Sequence, residues 1–151
     1  MDLGAPLSDA QADALVSEIV DAHCGVVGLE AASVMADAQR VRDLHMARRL
    51  ARVGNVRGAV LIAGHGHVRS DRGVPVQLRG LRPSATIASV GLLEVSADSP
   101  SPHDYPAEFG VTPLPFDYVL FTPRADDVDP CVKFADSLKT LSEKPVEDQR
   151  R

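Results

Sequence analysis

The stretch Gly58-Ala59-Val60-Leu61-Ile62-Ala63-Gly64-His65-Gly66-His67-Val68-Arg69 decides how this chain is to be read. Its first seven residues are a continuous apolar run bounded by glycines, the pattern of a fully buried central strand in an α/β sheet. Such sheets place their ligands beyond the carboxyl ends of the strands. Two histidines, two glycines and an arginine therefore fall where this architecture puts its site. Glycine permits a sharp turn or a close approach of backbone to ligand, and imidazole serves as metal ligand or proton shuttle near neutral pH. His65 and His67 are two residues apart, so extended backbone would aim them to opposite sides and bring one into a pocket. An H-x-H pair also arises when one ring simply hydrogen-bonds in a core, and both readings stand at this point.

Upstream of this stretch, Ser8-Asp9-Ala10-Gln11 reads as a capping box, followed by Leu15, Ile19 and Ala22 at helical spacing. His23-Cys24-Gly25 stops that helix, with Gly25 as a left-handed terminus. A longer helix is predicted from about Leu29 to Val53, with an apolar stripe of Ala31, Val34, Met35, Ala38, Val41, Leu44 and Leu50. Gln39, Arg42, Asp43 and Met46 lie on an adjoining strip, where a polar group can reach a site beside the core. Arg42 and Met46 are one turn apart and share a face. A solvated charged pair accounts for Arg42 and Asp43 equally well.

Downstream, Pro75 opens a short helix through Leu78, and Thr86 to Val95 is a second strand rich in β-branched and small residues. Residues 97–115 are rich in Pro and Ser and read as a surface loop. Asp117 to Pro123 is a third strand, ended by its proline. A short helix beyond Asp129-Pro130 is expected to hold Phe134 and Leu138. The fold class is therefore α/β, a small mostly parallel sheet of about three to four strands flanked by helices. One domain over residues 1–141 precedes a charged tail, 142–151, expected to be frayed.

Composition narrows the function. Apolar residues at 44% and charged residues at 25% suit a soluble globular domain. With a net charge of -5, 4% aromatics and no Trp, the chain offers neither a phosphate-neutralising surface nor stacking platforms, so nucleic acid is not an expected partner. Arginines cluster locally (Arg40, Arg42, Arg48, Arg49, Arg52, Arg57, Arg69, Arg72, Arg79, Arg82). They read either as a solvated face or as a patch that meets the carboxylates of an anionic ligand or substrate. No apolar run is long enough to span a membrane. Met1 leads into Asp2, Leu3 and Gly4 without a basic start and apolar run, so no signal peptide is read here, and the chain is expected to be cytoplasmic if complete.

Three stretches, QRVRDLHMA (Gln39 to Ala47), GAVLIAGHGHVRSDRGVP (Gly58 to Pro75) and FDYVLFTPRADDVDPC (Phe116 to Cys131), together with His23-Cys24-Gly25, resemble the ChaN-like haem-binding uptake family. That family is grouped with Tiki, TraB and erythromycin-esterase-like proteins. The resemblance implies that this chain corresponds to the C-terminal half of a larger domain, in which an R-D/N-x-x-M helix and a G-x-x-H element after a strand line one site. Those elements map onto Arg42, Asp43 and Met46, and onto Gly64 and His67, so the resemblance selects His67 rather than His65. The family's N-terminal glycine-glutamate-x-histidine element is absent here, and Gly28-Leu29-Glu30 does not replace it.

What the resemblance implies is haem binding for iron uptake, by an exported lipoprotein of the periplasm and outer membrane whose lipid anchor would lie upstream. In that setting His67, His65 and Tyr118 are the candidate iron ligands, with Tyr105 on the loop a weaker one. Arg42 and Arg69 are candidates for the propionates, beside Asp43 and Met46. An exported protein with two cysteines is expected to bridge them, which predicts a Cys24–Cys131 disulfide. No C-x-x-C-H motif is present, so covalent haem attachment is not expected. A metal-dependent hydrolase of the Tiki or erythromycin-esterase kind, with His67 on a divalent metal and Arg42 steadying an oxyanion, is the alternative. Without the acidic N-terminal motifs, independent catalysis is not expected. A non-catalytic remnant or scaffold, whose exposed sheet edge and face admit a homodimer, is the third reading.

Overall fold

The computed structural model describes residues 2–53, 58–96, 101–126 and 128–137, except the side chains of 107 and 108. Helix α1 (Asp9–Ala22) starts on the expected capping box: the Ser8 side chain accepts from the Gln11 backbone N–H, and the Gln11 side chain accepts from the Ser8 N–H. It ends at His23, whose ring Nδ1 lies 2.7 Å from the Ile19 carbonyl oxygen, and Gly25 follows at φ +71°. Helix α2 (Leu29–Val53) runs its expected length. Its buried face differs from the expected one. Ala32, Ala36, Asp43, Leu44 and Ala47 are inside, whereas Val34 is 68% exposed. The reason is approach distance: Leu15 and Ile19 of α1 pack against Ala32 and Ala36, and only short side chains let two helices close on each other. Of the large residues in the expected stripe, Val34 is turned aside, while Leu44 is buried and Met35 packs at the edge of this core.

After α2 come a single-turn helix α3 (His65–Val68), α4 (Val74–Leu81), strand β1 (Val90–Glu94), a short α5 (Pro106–Phe109), strand β2 (Tyr118–Thr122) and a short α6 (Pro130–Lys133). β1 and β2 pair in parallel, Val90 against Tyr118 through Glu94 against Thr122. The class is α/β, but the sheet has two strands among the described residues instead of three to four. The missing strand is the stretch with which the reading began. Among the described residues, no backbone hydrogen bond pairs residues 58–63 with another segment, and Val60 and Ile62 are 89% and 93% exposed. An apolar run encodes a demand for burial; it becomes a strand only when neighbours supply ladder partners and cover.

A second core lies under the inner face of the sheet. Leu93, Tyr105 and Phe116 are buried there, with Val68, Phe109, Leu114, Val119 and Phe121 around them. The two cores belong to different parts of the chain, α1/α2 and the sheet. Cys24, just past α1, is bonded to Cys131 in α6 at an S–S distance of 2.06 Å, across 107 positions. The expected frayed tail and Leu138 lie outside the described residues.

Candidate functional site

The turn after Gly64 is where side-chain chemistry converges. His65, Gly66, His67 and Val68 form one helical turn instead of extended backbone, so the two rings diverge by helical rotation. Two contacts fix the turn. Ser89, at the foot of β1, donates its hydroxyl to the Val68 carbonyl. Gly73, in the expected G-V-P turn, passes so close beneath that a Cβ there would sit 2.3 Å from the His67 carbonyl oxygen. Only glycine fits that crossing.

His67 Nδ1 lies 2.6 Å from Asp43 Oδ1 on α2. Asp43 is buried at 3% exposure. Burial pushes its carboxyl above the ordinary aspartate range, and the hydrogen bond and charge of His67, with the charge of Arg72, pull only partly back. When Asp43 is ionised it can only accept, so Nδ1 carries the proton and the Nε2 lone pair is left for another partner. This is the arrangement that fixes the tautomer and ring orientation of a metal-ligating histidine.

Beneath this pair runs a seam of buried charges. Arg69 is 1% exposed. Its Nε and a terminal nitrogen reach the two oxygens of Asp71 at 3.0 and 2.7 Å, and it also meets Glu18 of α1 at 3.4 Å. Arg72, 4% exposed, donates to Glu18 as well, and its Nε is buried without a hydrogen-bond partner. Burial alone would push Asp71 up. The Arg69 hydrogen bond and charge, with Arg72, outweigh it and hold the carboxyl below its ordinary value. Three carboxylates thus face two guanidinium groups and one imidazole.

Beside the seam, at the carboxyl end of β1, opens a cleft of about 480 Å³ lined by Glu18, His65, Leu92, Leu93, Glu94, Tyr105 and Phe109. The His65 ring stands edge-on to Phe109 at 5.8 Å. Tyr105 is buried, and its hydroxyl accepts from the Ser96 N–H at 2.8 Å.

The expected residues therefore separate. His67 and Asp43 are brought together, and His65 borders the cleft next to them. Arg42 is exposed, and none of the ion pairs among the described residues includes it; the neighbour of His67 on α2 is the next residue, Asp43. Met46 is half-buried one turn farther along. Arg69 has its donors turned inward on carboxylates and is not available to a ligand's propionates. Tyr118 stands on β2 at 66% exposure, on the sheet's outer face. Glu18, Arg72 and Tyr105 are the residues that sequence reasoning passed over or ranked low. Glu18 had no local cue: it sits among ordinary helix residues and matters only because α1 lies against the turn. Tyr105 was placed on a loop by its prolines, and its burial depends on Phe121 4.7 Å away.

Comparison with known proteins gives one match. The family model for haem-binding uptake proteins of the Tiki superfamily, ChaN, matches residues 2–78, just over half of the chain. No curated protein and no solved structure matches it.

Proposed function

We propose, for a chain that belongs to the ChaN family of haem-binding uptake proteins in the Tiki superfamily, that haem is bound at the turn Gly64–Arg69 with His67 as its iron ligand. The observation that carries this reading is the Asp43–His67 pair. A buried carboxylate 2.6 Å from Nδ1 holds the ring in one orientation and leaves the opposite nitrogen free, which is what an imidazole that would hold iron requires. The residues fit the group: one oriented imidazole, an adjoining cleft with apolar and aromatic walls in Leu92, Leu93 and Phe109, and His65 at its border as a second nitrogen donor. When bound, haem iron supplies a Lewis-acid centre held through a protein nitrogen. Arg42, exposed on α2, is the cation we assign to a propionate, and Met46 an apolar contact on the same strip. Tyr118, on the outer face, has no part in this reading.

The hydrolase alternative needs about three protein ligands on one metal. No group of three His, Cys, Asp or Glu able to hold a metal occurs among the described residues. Haem needs one or two. The Cys24–Cys131 bond supports an oxidising compartment, consistent with an extracytoplasmic uptake protein, and we extend this to the periplasmic lipoprotein arrangement of the family. No helix among the described residues is long and apolar enough to cross a membrane.

Titration with haem, followed at the Soret band, tests the assignment. Wild type should bind with a shifted band. His67→Ala should weaken binding at least as much as Asp43→Asn, for which a loss of about tenfold or more is expected from removing a ligand's carboxylate partner. An unchanged affinity in His67→Ala would remove that residue from the site. No band shift in wild type would end the haem reading.

A further inference from the structure

Two adjoining clefts of about 320 and 600 Å³ lie between the end of α2, the segment 58–61, α4 and the approach to β1. They share Leu50, Ala59, Leu78, Thr86 and Ile87 and so form one trough, and none of its lining residues borders the cleft assigned to haem. Val74 and Pro75, both buried, line only the smaller end, and Arg82 and Ser84 only the larger. We infer that this trough binds a long-chain carboxylate, a fatty acid, with its chain along the apolar walls and its head on Arg82.

The head group follows from how Arg82 is held. It donates side-on, from Nε and one terminal nitrogen, to the Ala51 carbonyl in the last turn of α2. Such a bond caps a helix end and by itself asks for no ligand. Here it also fixes the guanidinium at the rim of an apolar trough, with the end-on edge of its two terminal nitrogens unspent. None of the ion pairs among the described residues includes it. A carboxylate meets such an edge with two parallel hydrogen bonds. A phosphate monoester, with nearly two charges and three oxygens, would leave part of its charge unmet at a single guanidinium.

The walls select the rest of the molecule. Each cleft falls in the range of roughly 300–1,000 Å³ usual for small-molecule sites, which are mostly apolar with a few placed polar groups. Apart from Arg82, the polar side chains that line the trough are the hydroxyls of Ser84, Thr86 and Ser89, so no acidic side chain opposes an anionic head. Haem too joins apolar surface to carboxylates, but its iron needs a protein ligand, and no His, Tyr, Cys or Met lines this trough. The wall formed by residues 58–61 has no ladder partner among the described residues. A hydrocarbon chain laid against it takes Ala59 and Leu61 out of water, which favours binding in proportion to the apolar area covered.

Fluorescence titration of the full, haem-free chain with dansylaminoundecanoic acid tests it. The probe's emission should shift to the blue, and palmitate kept below its micellar concentration should displace it. Hexadecanol, with the same chain and no charge, should compete about tenfold more weakly or worse. Arg82→Leu removes the cation, and Ala59→Asp, at an exposed position, sets a carboxylate in the trough. Each should weaken the probe about tenfold or more with the circular dichroism spectrum unchanged, while His67→Ala binds it as wild type does. The absence of a blue shift, equal displacement by palmitate and hexadecanol, or indifference to both trough substitutions would each overturn the proposal. So would a loss in His67→Ala, which would put the probe in the cleft assigned to haem. If Arg82→Leu unfolds through the lost cap on α2, Ala59→Asp and the alcohol decide. The inference uses neither His67 nor Asp43, so it stands or falls apart from haem binding.

Discussion

The polar seam under α3 and the outer face of the sheet differ in what this chain does for them. In the seam, Arg69, Arg72 and Asp43 are nearly inaccessible, yet each meets a polar partner: Arg69 meets Asp71 and Glu18 of α1, Arg72 meets Glu18, and Asp43 meets the His67 ring of α3. On the outer face, Val60, Ile62, Leu92 and Leu120 have no such answer. Buried charges are tolerated only when paired, so the chain has to complete its polar interior by itself. Apolar surface is tolerated in water at a modest cost per residue, so its completion can be left to another molecule. The seam shows what the fold specifies, and the face shows what it leaves open.

The largest effect expected from breaking that comparison comes from the bond that ties the two regions together. Cys24 follows α1, on the helical side, and Cys131 lies beyond β2. Closing a loop of 107 positions restricts the unfolded chain by about 4–5 kcal/mol on chain-entropy accounting. Reduction, or paired Cys24→Ser and Cys131→Ser substitution, should lower unfolding stability by that order in a urea titration. A loss under about 1 kcal/mol would mean that the reduced chain keeps these ends together without the bond.

A smaller effect separates the two faces of one strand. Leu93 is 7% exposed and packs with Tyr105 and Phe116; its neighbour Leu92 is 62% exposed. Leu93→Ala should cost about 3 kcal/mol through lost contacts and a residual cavity. Leu92→Ala should cost less than about 1 kcal/mol. Equal losses at the two positions would mean that Leu92 is covered in solution as Leu93 is.

How much of this was legible in the sequence follows the same division. The capped start of α1, the length of α2, the G-V-P turn and the two parallel strands are written locally, in caps, periodicity and β-branched runs. The pairing of His67 with an α2 side chain was foreseen at the level of elements and shifted by one residue, from Arg42 to Asp43. A helix rotates by about 100° per residue, so that shift decides which side chain is inside, and rotation is set by how closely α1 packs on Ala32 and Ala36. Residues 58–63 carry every mark of a buried strand. What they lack is a neighbour, and no residue in the run encodes whether one is present. Glu18 and Tyr105 became site residues only through tertiary approach.

The smallest expected effect sharpens the seam itself, through the two aspartates whose proton affinities are shifted in opposite directions. Asp71 is held below its ordinary value by Arg69 and Arg72 against the cost of burial. It binds its proton more weakly folded than unfolded, so the stability it contributes is present above the unfolded value, about 3.9. That contribution is lost as pH falls through the lower folded value. Asp43 is raised, mainly by burial. It binds its proton more tightly when folded, so its contribution is complete below about 3.9 and disappears as pH rises through the raised folded value. Unfolding free energies measured in urea across acid to neutral pH should therefore lose slope in different windows: the acid limb for Asp71→Asn, the limb above the ordinary aspartate value for Asp43→Asn. Each change rests on one carboxyl and should fall below the effects at Cys24 and Leu93. If Asp43→Asn flattened the acid limb instead, the His67 and Arg72 contacts would outweigh burial at Asp43; if it changed neither limb, Asp43 would be behaving as a solvated carboxylate, and the buried partner assigned to His67 would have to be sought elsewhere.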